Sequence, residues 1–134
     1  MKLSEMTSLW ARTALVWFLI TVGLGLFMGI RQLFHYAPVH AHMGVLGWLS
    51  AAVFAVIYAM SGPGAAGARA PKLHWAAHNL GVATMTLSLL MEINSPNGPW
   101  GPLIAVGAVV IVAAAVAFVA MMWGRLAYAP DAAE

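Results

Sequence analysis

Five histidines carry most of the chemistry open to this chain of 134 residues, which has no cysteine. His35, His40 and His42 lie close together, and His74 and His78 form a second group. At 3.6 residues per turn, His40 and His42 leave a regular helix about 200° apart, so each must serve a different partner. His74 and His78 are four residues apart. On a helix they share a face, with roughly 5–6 Å between Cβ atoms, a workable metal-ligand spacing. Without cysteine there is no thiolate nucleophile, no iron–sulfur cluster and no Cys-ligated zinc. Copper is open, with Met28, Met43, Met60 and Met85 available as soft ligands. Haem suits a single histidine in an apolar helix wall best, because it needs only one or two axial ligands and an apolar cleft. Ala41, Gly44 and Gly47 beside the pair give a flat macrocycle room. No acid, base or nucleophile constellation is visible, so no reaction is assigned.

The elements that position these side chains follow from composition. Hydrophobic residues make up 63% of the chain and charged residues only 7%, against roughly 25% charged in soluble domains. A water-exposed surface cannot be built from so few charges, and six basic residues scattered along the chain exclude a nucleic-acid partner. The expected class is an all-α integral membrane protein whose surrounding partner is lipid. Charges divide it into four transmembrane helices, near residues 9–30, 38–60, 73–91 and 102–124. Each is close to the roughly twenty residues needed to cross about 30 Å of hydrocarbon. The first is too long, and lacks a small-residue cleavage site, to read as a signal peptide. Breaker-rich stretches, from Ser61 to Pro71 and from Asn94 to Pro99, separate the later helices, and Pro38 suits a first helical turn.

Lys2, Arg12, Arg69, Lys72 and Arg125 fall on one side of such a bundle and Arg31 alone on the other. The positive-inside rule then places both termini in the cytoplasm, in a bacterial-type inner membrane. Gly25 and Gly29 form a GxxxG step that permits close helix approach. The fourth helix, rich in Ala and Val, reads as a packing or lipid-facing element. Trp10, Trp100 and Trp123 fall near membrane edges, as an aromatic belt would.

The run from Pro38 to Tyr58, with its His40-Ala41-His42 step and Leu46-Gly47-Trp48, resembles the haem-ligating helices of haem–copper oxidase subunit I. It looks most like short relatives in the cytochrome oxidase and nitric oxide reductase superfamily. Leu73 to Gly81 is similar to the third helix of such relatives. The resemblance implies one third of a threefold pseudo-symmetric architecture, completed by a homotrimer. It also implies that His40 and His42 are axial ligands of b-type haem, clamped between neighbouring protomers. Arg31 and His35 would then hold propionates, though Arg31 equally suits a snorkelling anchor. No copper-site histidine pattern accompanies the motif, and two axial histidines leave no open position for dioxygen. Electron transfer is therefore the expected role, with binding of nitric oxide or oxygen at a five-coordinate haem, or copper handling, as alternatives. For His74 and His78, with Trp75 and Asn79, the open explanations are a second haem or metal site, a quinone pocket and interhelical hydrogen bonding. The last is favoured by how often such residues bond across membrane helices.

Overall fold

Ser4 begins the first helix by accepting a 3.1 Å hydrogen bond from the Thr7 N–H, with Glu5 in the first turn to complement the helix dipole. The structure, a computed structural model, describes residues 4–61 and 69–126. Helix α1 (Glu5–Arg31) runs until Gln32 turns left-handed at φ 55°, where the Leu33 N–H closes on the Met28 carbonyl at 3.0 Å. So short a connection folds α2 (Phe34–Met60) back antiparallel to α1. Helices α3 (Arg69–Asn94) and α4 (Trp100–Met122) complete an all-helical bundle of four. The helix count matches expectation, while the ends move. Thus α1 starts at its Ser4 cap rather than after the early charges, and α3 takes Pro71 into its first turn, where the missing N–H costs nothing. Most of the loop expected from Ser61 to Pro71 lies outside the described residues, as do Lys2 and the end of the chain after Leu126.

Three helices, α1, α2 and α4, are long and apolar enough to cross a membrane. Helix α3 is 26 residues long but interrupts its apolar run with polar side chains. It turns those side chains inward: His74, His78, Thr86 and Ser88 are buried, while Leu73, Leu80 and Leu87 face outward. Apolar residues out and polar residues in is the reverse of a water-soluble helix.

Helices α3 and α4 form the most extensive pair. Their backbones meet at two glycines. A Cβ on Gly107 would lie 2.6 Å from the Met85 nitrogen and 2.8 Å from the Gly81 oxygen. The expected GxxxG step of α1 behaves differently. Gly29 has nothing near it, and Gly25 admits an imidazole rather than a helix, since its Cβ would lie 2.8 Å from His40 Cε1. Trp10 leaves the expected interfacial belt altogether. It is fully buried, edge-on to Phe54 at 4.8 Å, whereas Trp123 is 81% exposed.

Helix α2 departs from ideal geometry. Between an α-helical start (Ala37–His42) and an α-helical end (Ser50–Met60), Met43–Leu49 form a π-helical segment. The cause is visible in the buried stripe Val39, Met43, Gly47, Ala51 and Ala55, spaced uniformly by four. In an α-helix such a stripe drifts about 40° per step, or roughly 160° over the run. The wider π turn takes most of that back.

Candidate functional site

The described histidines sit in two places. At the end of the bundle opposite the start of α1, Arg31 closes that helix and His35 lies in the first turn of α2, both exposed. Tyr36 beside them donates a 2.7 Å hydrogen bond to Asn94 Oδ1, tying α2 to the end of α3. His40 and His42 follow one and two turns deeper, and they diverge. The His40 ring enters the space left by Gly25 on α1, with Nδ1 enclosed and without a hydrogen-bond partner. His42 faces outward, and its Nδ1–H donates to the Pro38 carbonyl at 2.7 Å. That bond sets the tautomer and leaves the Nε2 lone pair directed away from the helix, over a groove formed with Ala41, Val45 and Leu46.

The donor set fits an axial haem ligand. A neutral imidazole anchored through Nδ1 to a backbone carbonyl is how ligating histidines are commonly held, and its surroundings are apolar. His40 has no such anchor. A metal ion held by protein alone is less well served: among the described residues, no three His, Asp or Glu side chains gather. Met60, one of the expected soft ligands, ends α2 about 27 Å along the helix from His42. Arg31 and Glu92, which lie at the same end of the bundle, form no ion pair with each other. The ion pair among the described residues is Lys72 with Glu5, at 2.7 Å and exposed on both sides.

The second place is inside the other half of the bundle. Trp10, Phe54, Tyr58 and Phe118 converge there on His74 and His78, whose ring centroids are 6.2 Å apart. His74 stacks on Phe118 at 5.1 Å, and its Nδ1 shares a 3.1 Å hydrogen bond with the Tyr58 hydroxyl. His78 Nε2–H donates to the Leu46 carbonyl at 2.9 Å. Both bonds join α3 to α2, so these histidines act as interhelical ties. Trp17 Nε1–H donates to Asn79 Oδ1 at 3.0 Å and Trp75 Nε1–H to Thr13 Oγ1 at 2.9 Å, extending the ties to α1. His74 Nε2, His78 Nδ1 and Trp10 Nε1 remain buried without partners.

Tyr58→Phe is expected to lower stability by about 1–3 kcal/mol, because it strips His74 of its partner in an apolar interior. Thermal unfolding of the purified protein in detergent measures this, and an unchanged midpoint would show that the bond contributes nothing.

Sequence reasoning did not identify Trp10, the Gly107 contact or the π segment as parts of the framework. The one sequence signal for the last was the unbroken spacing of four from Val39 to Ala55, which no straight helix can keep on one face.

No family model matches the chain, and neither a curated protein nor a solved structure matches it.

Proposed function

We propose that the chain is a multi-pass protein of a bacterial-type cytoplasmic membrane that holds b-type haem through His40 and His42 and passes electrons one at a time. Membrane residence is supported by the outward-facing apolar side chains of all four helices, from Leu15, Leu19 and Leu26 on α1 to Val109 and Val116 on α4. Both termini lie on the cytoplasmic side, since Arg12, Arg69, Lys72 and Arg125 crowd one end of the bundle and Arg31 stands alone at the other.

One observation carries the haem: His42, exposed in an apolar wall, with Nδ1 committed to Pro38 and Nε2 free. Holding an imidazole at membrane depth with an open lone pair is costly unless something takes it. Haem b, when bound, supplies a one-electron iron couple whose potential responds to axial ligation and burial. His42 would hold the iron, with Pro38 fixing its ring. His40 would supply the second ligand from the other side of the helix, with Gly25 giving its ring space. Because the two rings diverge, two ligands for one haem come from two protomers. A closed homotrimer, one third of the haem–copper oxidase subunit I plan per chain, satisfies that requirement with every protomer equivalent. Arg31 and His35, exposed at the same end, would face the propionates.

The unequal anchoring of the two rings carries a second reading, a five-coordinate haem on His42 alone that binds nitric oxide or oxygen. Carbon monoxide added to the reduced protein separates them. A spectrum unchanged by carbon monoxide is expected for two axial histidines, and a shifted Soret band would establish the gas-binding form. Iron and copper analysis of the same sample tests the copper alternative, with iron expected and copper absent.

A further inference from the structure

The Ser50 N–H bonds Val45 O, five residues back, instead of Leu46 O, four back. From Ser50 onward the helix is α again, so the Leu46 carbonyl is the one passed over when the π segment ends. It is not left bare: the His78 Nε2–H of α3 donates to it at 2.9 Å. A carbonyl can only accept, so the bond requires its proton on His78 Nε2.

We infer that His78 is a positioning residue, which holds the π segment of α2 open and thereby sets the direction in which His40 and His42 leave the helix. A π segment accommodates one residue more than the α-helix it interrupts. The part of α2 before Met43 is therefore turned by about 100° from where an unbroken α-helix continued back from Ser50 would put it. Val39 records the consequence. In a straight helix it would point about 120° away from Ala51, yet both are fully buried on one stripe. Without the His78 donor, the Leu46 carbonyl is unsatisfied in an apolar interior. The helix then regains the missing bond by closing to α, and everything before Met43 rotates. Trp17 locks the same segment from the α1 side, because a Cβ on Gly47 would come within 2.6 Å of its ring. His78 thus lies on a different helix from the proposed ligands, and acts on them only through the winding of α2.

The winding is independent of haem; only its consequence for ligand direction rests on the proposed function. The chain has no cysteine, so a single thiol reports it. In detergent-solubilised protein carrying Val39→Cys, the thiol is expected to resist a water-soluble maleimide. Adding His78→Leu should speed labelling ~10- to ~100-fold, the range set by one lost buried hydrogen bond. His78→Gln, whose amide can still donate, should remain protected. Deleting Val45, an exposed residue of the π segment, removes the extra residue without turning either flank, so it should restore protection to His78→Leu. Equal protection of Val39→Cys in folded His78→Leu protein would overturn the inference. If His78→Leu does not fold, recovery of folded protein on deleting Val45 supports the assignment, and no recovery overturns it. A protein that shows the labelling pattern but binds no haem would sink the proposed cofactor and leave the role of His78 in place.

Discussion

His42→Ala is expected to abolish haem absorbance in the purified protein while leaving its helical content and elution volume unchanged. The side chain is exposed and takes no part in the core, so its loss costs the bundle little. It removes the one imidazole whose Nε2 is aimed outward by a backbone anchor. His40→Ala should also eliminate the sharp reduced α and β bands, because six-coordination needs both rings. It should retain more haem than His42→Ala, since the anchored ligand stays. His35→Ala, outside the ligand pair, should keep the sharp bands. Haem content and reduced spectra of the three variants, expressed with ample haem, decide the matter. Sharp bands surviving His42→Ala would remove His42 from the site.

The second large effect is structural. Gly107→Leu is expected to cost about 3 kcal/mol or more, or to yield no folded protein, because the new side chain meets backbone rather than flexible side chains. In the proposed membrane setting, helices gain nothing from burying apolar surface against one another and depend on close packing, so a wedge between α3 and α4 would have little to offset it. Gly101→Leu is the matching control: a Cβ there meets nothing within 4 Å, and stability should stay within about 0.5 kcal/mol. Unfolding of both variants in detergent, followed by circular dichroism, gives the comparison. A Gly107→Leu protein as stable as the control would mean that α3 and α4 do not pack as described.

The four helices were legible because charges and breakers punctuate the chain more clearly than any periodicity within it. The divergence of His40 and His42 was legible too, since both precede the π segment and follow ordinary helical geometry. The fate of Trp10 was not. A tryptophan near a helix end suits the membrane interface, and only the packing of four helices turns it inward. That His74 and His78 tie helices together is the reading their residue types favour, but the groups they reach are hidden from the sequence. Gly107 was hidden among the small residues of α4, while the GxxxG step of α1, which does match a motif, meets a histidine ring at Gly25 and nothing at Gly29. A motif marks where close approach is permitted; the partner that arrives is a tertiary fact. The bond from His78 to Leu46 joins residues 32 apart in the chain, and no local pattern could have paired them.

The most direct test of the haem assignment is the reduced-minus-oxidised optical spectrum of the purified wild-type protein, taken with its haem content per protomer. Sharp α and β bands with stoichiometric, extractable haem b are the expected result. Protein expressed with adequate haem that shows no Soret absorbance in either redox state would contradict the account at its centre.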